Sequence, residues 1–191
     1  MKFKSERKQV AETMRKLYAK GLTTISGGNV SCRNDNGYIF ITASQTDKSC
    51  ITENEIIVFD NKLKNLTPEL KPSMEYNMHI NIYKTRQDIK AIIHSHPIYA
   101  STFAIIDKKI DTNITGEIKY VLNDIAEIDY KLMGSQELAK ECADKLANYS
   151  VGIMKNHGAI TLGKTLFEAY DKMEILEFAA NLNYNLLLLS R

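Results

Sequence analysis

Apolar residues recur at helical spacing in several stretches of this chain. Between residues 5 and 20, Val10, Met14, Leu17 and Tyr18 share one face, and Gly21 follows as a helix stop. The same period predicts helices at 73–86, 98–106, 135–149 and 165–189. The last of these carries a long apolar face, formed by Leu166, Ala169, Met173, Leu176, Phe178 and Ala180. Amphipathic helices of this kind pack their apolar face against another layer.

Shorter apolar runs, rich in β-branched residues, predict strands between these helices. The predicted strands are 30–33, 38–42, 56–60, 89–93, 118–121, 151–154 and 160–163. Asn36 and Gly37 lie between the first two strands and favour the positive φ angles of a tight hairpin turn. Because strands and helices interleave along the chain, the pattern favours a layered α/β domain.

The length and charge of the chain narrow the possible functions. The 191 residues are enough for a single domain, 1–191, with a substantial core. With 25 Lys and Arg against 23 Asp and Glu, the chain lacks the basic excess that favours nucleic acid or an anionic membrane. We therefore expect a small-molecule or protein partner, with no nucleic acid and no membrane.

The cysteines and the hydropathy indicate a compartment. Cys32, Cys50 and Cys142 are odd in number and widely spaced, which argues against a disulfide framework and a zinc knuckle. The N-terminal residues are charged, and no run approaches the ~20 apolar residues of a membrane span. We expect a soluble, cytoplasmic protein that is not exported.

Candidate metal ligands follow predicted strands. The run 91–93 leads into His94 and His96, and alternate strand residues point to the same face. Pro97 disfavours continued pairing, so both imidazoles should lie at a sheet edge or loop mouth. The pair is also compatible with two hydrogen-bonded loop histidines. His157 follows another predicted strand, and three neutral imidazoles leave open positions on a divalent metal.

Two polar segments offer further chemistry. Ser73 is a natural N-cap, so Glu75 should lie in a first helical turn, where a carboxylate complements the helix dipole. His79 lies four residues on, on the same face, so the two can interact. A base role for Glu75 requires the fold to bring it near the metal. Gly28 and Asn29 form either a plain turn or a close backbone approach to a ligand.

Four short motifs follow one another along the chain. They are Gly28-Asn29-Val30-Ser31, Pro72-Ser73-Met74-Glu75, His94-Ser95-His96-Pro97 and Asn156-His157-Gly158. In this order they resemble the class II aldolase/adducin family, and most closely its fuculose-phosphate aldolase branch. The resemblance extends over nearly the whole chain. It implies a three-layer α/β/α sandwich with a mixed, largely antiparallel central sheet.

The resemblance also implies roles for individual residues. His94, His96 and His157 would bind one divalent metal, zinc, and Glu75 would be the catalytic acid/base. Tyr130 would donate a proton at a neighbour's site, in a homotetramer with active sites at subunit interfaces. The residues implied to hold the substrate phosphate are Gly28, Asn29, Thr42, Ser44 and Ser73.

The implied reaction is the reversible cleavage of a ketose 1-phosphate, such as L-fuculose 1-phosphate, to dihydroxyacetone phosphate and an aldehyde. A metal would act as a Lewis acid while the C3–C4 bond breaks and an enediolate forms. Glu75 would move a proton on that enediolate, and it would work best if burial raised its pKa. No Schiff-base lysine is needed.

The phosphate loop departs from the usual family pattern. This chain has Thr42-Ala43-Ser44-Gln45 in place of Thr-Pro-x-Gly, and Ser73-Met74 in place of Ser-Ser. The changes remove a glycine that allows close backbone approach and one hydroxyl donor. Thr42, Ser44 and Ser73 are the hydroxyl-bearing residues that remain to contact a phosphate.

Other functions use similar residues. A sugar-phosphate 4-epimerase or a methylthioribulose-phosphate-type dehydratase of this family would have the same three ligands. A JAMM-type zinc isopeptidase would use Asp107 as a ligand, but Ala104 stands where it needs a serine, and His157 has no role in it. A cupin would need a glutamate shortly after the histidine pair. A metal-free adducin-like interaction domain is the non-enzymatic alternative.

Overall fold

Helices and strands alternate in a computed structural model that describes residues 2–190. The helices of this range are α1 (Lys4–Ala19), α2 (Tyr76–Thr85), α3 (Ile98–Ile106), α4 (Gly116–Leu122), α5 (Gln136–Lys145) and α6 (Leu166–Leu189), with a short 3-10 helix at Glu53–Glu55. The strands are β1 (Asn29–Arg33), β2 (Ile39–Thr42), β3 (Ile56–Phe59), β4 (Ala91–Ser95), β5 (Ala126–Ile128), β6 (Val151–Met154) and β7 (Gly158–Gly163). None of the described helices combines the length and apolarity needed to cross a membrane.

The strands form one seven-stranded sheet in the order β3-β2-β1-β4-β7-β6-β5. β5 and β6 run parallel, and the other neighbouring pairs are antiparallel. The predicted hairpin of β1 and β2 is present, and Gly37 in its turn has a φ of 80°. In the centre of the sheet, β4 pairs with β1 on one side and with β7 on the other.

Separate hydrophobic cores cover the two faces of the sheet. On one face, Ala91 and Ile93 of β4 belong to the core that packs against α1, α3, α4 and α6. On the opposite face, Ile92 belongs to the core that packs against α2 and α5. Each fully buried isoleucine contributes about 1.5–3 kcal/mol relative to an exposed one. The arrangement is the predicted three-layer α/β/α sandwich with a mixed, largely antiparallel sheet, and that prediction is confirmed.

The strand predicted at 118–121 is wrong, because this segment is helical. Thr115 caps α4 by accepting a hydrogen bond from the Ile118 N–H at 3.2 Å. Ile118 and Leu122, four residues apart, are both buried, which is the spacing of one helix face. The β-branched and aromatic residues of this segment favoured a strand locally, but the cap and the long-range packing decide its structure.

Several element boundaries also differ from the prediction. α2 begins at Tyr76, with Glu75 rather than Ser73 at its N-cap position. α5 starts after the predicted Ser135 cap but ends at Lys145, four residues early. In α6, Phe178 is 46% exposed and does not belong to the core stripe. The short strand β5 was not predicted, since its three residues carry no clear period.

Candidate active site

The central strands bring the three predicted histidine ligands together. His94 lies at the end of β4, paired with Asn29 of β1 and Ile160 of β7, and His96 follows immediately after the strand. His157 lies in the turn between β6 and β7, and β7 is the neighbour of β4. One ring nitrogen of each histidine lies within 4.8 Å of those of the other two.

The turn that carries His157 is fixed by its two neighbours. Asn156 has a φ of 54°, a left-handed conformation that asparagine tolerates better than most residues, and its N–H donates to the Ala104 carbonyl at 3.1 Å. A Cβ on Gly158 would lie 2.6 Å from the Ser95 carbonyl oxygen and 2.7 Å from His96 Cδ2. Only glycine lets β7 approach the histidine strand this closely.

The buried donor atoms suit a divalent metal. His94 Nδ1 donates to the Ala159 carbonyl at 2.9 Å, which fixes the tautomer and leaves the lone pair of Nε2 free. Within residues 2–190, His94 Nε2, His157 Nε2 and Glu75 Oε1 are buried without a hydrogen-bond partner. Such atoms are costly unless something binds them. Imidazole nitrogens and a carboxylate oxygen are preferred ligands of zinc and similar ions.

Glu75 is the carboxylate closest to this cluster. It is 7% exposed, with Oε2 3.2 Å from His94 Nε2 and Oε1 3.2 Å from His157 Nε2. Burial raises the pKa of Glu75, but the charge and hydrogen bond of a protonated His94, followed by His157 and the hydrogen bond from Asn29, outweigh burial and lower the pKa below its usual range. A metal bound at His94 Nε2 would replace that proton. The fold does place Glu75 against His94 and His157, as a base role requires.

A directed chain of buried hydrogen bonds ends at Glu75. Asn29 Nδ2 donates to Glu75 Oε2 at 3.1 Å, so its Oδ1 faces His79 and accepts the Nε2–H of that ring. His79 Nδ1 then accepts the Ser31 hydroxyl proton at 2.7 Å, and Ser31 accepts from the Tyr83 hydroxyl at 2.9 Å. Burial lowers the pKa of His79 to about 3, so the ring is neutral and carries the single N–H that this order requires.

The chain through His79 was not predicted from sequence. The helical spacing of Glu75 and His79 indicated a direct contact, but Asn29 lies between them in the structure. Asn29 and Ser31 lie on β1, whereas His79 and Tyr83 lie on α2. The contacts therefore join two elements about 50 residues apart, and nothing in the local pattern pairs them. The one signal in the sequence was the position of His79, four residues after Glu75 in a predicted helix.

The predicted phosphate residues divide into two groups. Gly28, Asn29, Ser44 and Ser73 line one cavity of about 120 Å³, together with Glu75, His96, Gln45, Lys48 and Met133. Thr42 does not line it. Its buried hydroxyl accepts the Val30 N–H at 3.3 Å inside the sheet. Asn29, besides its contact with Glu75, donates to the Ser73 hydroxyl at 3.2 Å.

The altered phosphate loop keeps an unusual backbone. Gln45 has a φ of 58°, in the left-handed region that glycine adopts without penalty. Gly28 has a φ of 68°, and a Cβ there would lie 2.7 Å from the His94 carbonyl oxygen. The side-chain change at Gln45 therefore leaves the loop in a conformation that favours glycine, at a cost of order 1 kcal/mol.

Tyr130 lies outside the cluster of histidines in the single chain. It is 57% exposed and does not line the cavity. The segment that carries it does reach the site, because Met133 lines the cavity and the Cβ position of Gly134 is 3.2 Å from Met74 Cβ. A role for Tyr130 thus requires a second subunit.

Two other features lie away from the histidines. Asp107, the ligand required by the isopeptidase alternative, forms an ion pair with Lys155 at 3.1 Å and is absent from the described metal cluster. A larger cavity of about 690 Å³ opens beside this pair, between Phe103 and Tyr149. Its charged side chains are paired or solvated, so the smaller cavity at the histidines is the better catalytic candidate.

Comparison with known proteins identifies the family. A family model described as the class II aldolase and adducin N-terminal domain matches residues 8–184. The chain belongs to the class II aldolase and adducin family. The family predicted from the four motifs is thereby confirmed.

Named relatives of this class II aldolase family member share most of its length. An L-fuculose phosphate aldolase of Methanococcus maripaludis (strain S2) is 40% identical over 170 residues, covering 89% of this chain and 91% of that protein. A 3-oxo-tetronate 4-phosphate decarboxylase of Haemophilus influenzae is 27% identical, covering 95% and 88%. Among solved structures, an L-fuculose 1-phosphate aldolase superposes with a TM-score of 0.91 at 27% identity, covering 100% and 90%. Two of these three proteins are fuculose phosphate aldolases by name.

Proposed function

We propose that this class II aldolase family member is a metal-dependent aldehyde-lyase acting on a ketose 1-phosphate similar to L-fuculose 1-phosphate. The products would be dihydroxyacetone phosphate and an aldehyde, in a reversible reaction. The observation that carries the proposal is the set of unpaired ring nitrogens of His94 and His157 facing the Glu75 carboxylate. The names of the aldolase relatives support the substrate class.

His94, His96 and His157 would hold one divalent metal, and zinc suits their nitrogen donors. A bound metal would supply a Lewis acid that stabilises negative charge developing on the substrate oxygens. We further propose a cytoplasmic homotetramer, in which the active sites lie at subunit interfaces and the whole chain forms one domain.

The protein's own side chains would position the substrate and move protons. Glu75 would remove or return the proton at the carbon freed by C–C cleavage, since its carboxylate is held beside the ligand cluster. Asn29 fixes the orientation of that carboxylate through its Nδ2–H. The phosphate would lie in the cavity lined by Gly28, Ser44 and Ser73. Tyr130 of a neighbouring subunit would accept the C4 hydroxyl proton in cleavage and would protonate the aldehyde oxygen when the C–C bond forms in the reverse direction.

A reaction on a different sugar phosphate is the alternative within the family. The H. influenzae relative is named a decarboxylase of a 4-phosphate, which shows that related chains support more than one reaction. A 4-epimerase, a dehydratase and a decarboxylase all need a stabilised negative charge next to a carbonyl group. The same histidines and Glu75 would serve each of them.

A substrate panel tests the proposed reaction. The zinc-loaded protein is incubated with L-fuculose 1-phosphate, other ketose 1-phosphates, pentulose 5-phosphates and a 3-oxo-tetronate 4-phosphate. Release of dihydroxyacetone phosphate from a ketose 1-phosphate is the expected result. Formation of an epimer, a dehydrated sugar or carbon dioxide would assign one of the alternatives, and inertness toward the panel would refute this substrate class.

Elemental analysis tests the metal site separately. We expect one divalent metal per chain in the wild type and loss of most of it in His157→Ala, because one of three imidazoles is removed. A stoichiometric metal retained by His157→Ala would contradict the ligand assignment. Lys155→Ala, which changes an ion pair outside the cluster, is the control.

A further inference from the structure

Lys48 is a buried lysine in the altered phosphate loop. The residue as a whole is only 2% exposed. Nζ donates to the Ala43 carbonyl at 3.1 Å and to the Thr46 hydroxyl at 2.8 Å. Its backbone N–H donates to the Ile25 carbonyl at 2.9 Å, which ties this loop to the segment just before Gly28. Lys48 therefore holds together the two loops that border the cavity.

The charge of Lys48 has no acidic partner in contact. Within residues 2–190 the hydrogen bonds of Nζ go to neutral oxygens. The Glu55 carboxylate raises the pKa of Lys48 through its charge, without forming an ion pair with it. An ammonium group has three N–H donors, and two of them have acceptors here. A buried ammonium without a counter-charge is costly, which favours an anionic ligand for the third donor.

The surroundings of Lys48 fit a phosphate group. Lys48 lines the cavity of about 120 Å³ together with Gly28, Ser44 and Ser73, and it is the one lysine or arginine among the described lining residues. Two of these neighbours bring hydroxyl donors, and a positive-φ glycine lets a backbone approach a ligand closely. Glu75 and His96 line the same cavity, and His96 is one of the three clustered histidines.

We propose that Lys48 is the cation that binds the substrate's phosphate group. The proposal rests on the proposed function, since a ketose phosphate brings this anion into the cavity. The third N–H of Nζ would donate to a phosphate oxygen, and the opposite charges would compensate each other in a buried setting. Lys48 would thereby select phosphorylated over unphosphorylated ketoses, despite the glycine and the hydroxyl that this chain lacks.

The ionisation of Lys48 gives the proposal a pH signature. Burial lowers the pKa of Lys48 to about 8, with Glu55 opposing the shift. The titratable groups that share its cavity are Glu75 and His96. Phosphate remains a dianion above this pH, so loss of the lysine charge is the change that matters there. Phosphate affinity should fall as the pH rises through about 8.

Binding of inorganic phosphate, followed by titration calorimetry, tests the proposal without turnover. Wild type, Lys48→Met and Lys172→Met are compared at pH 7. Lys172 is a matched control, because it is also buried but donates to the Leu162 carbonyl and Glu168, away from the cavity. We expect Lys48→Met to weaken phosphate binding by about 10- to 100-fold. Lys172→Met should bind phosphate as the wild type does.

Steady-state kinetics then link the site to substrate choice. With a ketose 1-phosphate, Lys48→Met should raise KM by a similar factor and change kcat by less than about 3-fold, because the phosphate is remote from the bond that breaks. With the unphosphorylated ketose, wild type and Lys48→Met should have equal kcat/KM. Unchanged phosphate affinity and unchanged KM in Lys48→Met would overturn the proposal.

The wild type alone keeps the proposal testable if Lys48→Met fails to fold. Its phosphate affinity should decrease between pH 8 and 9.5, and a constant affinity across this range would refute the role of Lys48. Failure of the proposed function gives a different result: phosphate binding that depends on Lys48, with no turnover of any ketose phosphate.

Discussion

His79→Leu tests whether the buried hydrogen-bond chain holds Glu75 in place. The substitution replaces the imidazole by an apolar side chain of similar size. It leaves Asn29 Oδ1 and the Ser31 hydroxyl proton without partners. Each orphaned buried polar group costs about 1–3 kcal/mol, so the free energy of unfolding should fall by about 2–6 kcal/mol. Tyr83→Phe, which removes only the far end of the chain, should cost about 1 kcal/mol.

The two variants are compared by urea denaturation and by steady-state kinetics. If Asn29 loses its fixed orientation, the Glu75 carboxylate is no longer held by its Nδ2–H, and kcat should fall in His79→Leu while the metal content stays stoichiometric. Tyr83→Phe should retain most of the wild-type kcat. A loss of stability below about 1 kcal/mol in His79→Leu, or a wild-type kcat, would refute this positioning role.

Three further changes test other parts of the structure. Gly158→Ala should destabilise the protein by about 1–3 kcal/mol and weaken metal binding, since its Cβ would lie 2.6 Å from the Ser95 carbonyl, whereas Gly116→Ala, in open space, should do neither in thermal melts and metal titrations. The folded pKa of Lys48 is about 8 against an ordinary 10.5, so the unfolded chain binds more protons between these values and stability should rise with pH. This rise, up to about 3 kcal/mol in denaturation curves, should be absent in Lys48→Met, and an identical pH profile would contradict the buried charge. Tyr130→Phe should lower kcat by about 100-fold or more in a tetramer, and unchanged turnover would remove it from catalysis.

Periodicity predicted most of the fold because most elements are strongly amphipathic or apolar. β4 and the positions of His94 and His96 were predicted from alternation and from Pro97. In the structure the strand is Ala91–Ser95, and the two histidines lie in one cluster with His157. The segment 118–121 was misassigned because its local composition favours a strand, whereas the Thr115 cap and buried contacts at Ile118 make it helical. Short elements of this kind depend on tertiary packing more than on their own residues.

The site was only partly predictable for a similar reason. The histidines and Glu75 stand in short motifs, so their chemistry is visible locally. The partners that orient Glu75 lie up to 50 residues apart, as Asn29 and His79 do, and a single sequence carries no record of such pairs. Lys48 also gave no signal, because only the fold shows that its side chain is buried beside the phosphate loop.

In the proposed function, Glu75 acts as a proton-transferring base beside a histidine-bound metal. The most direct measurement is the rate of dihydroxyacetone phosphate release from L-fuculose 1-phosphate by zinc-loaded wild type and Glu75→Gln, with the metal content of each sample determined. We expect equal zinc in both and a kcat lower by about 100-fold or more in Glu75→Gln. Equal turnover by the two zinc-loaded proteins would contradict it.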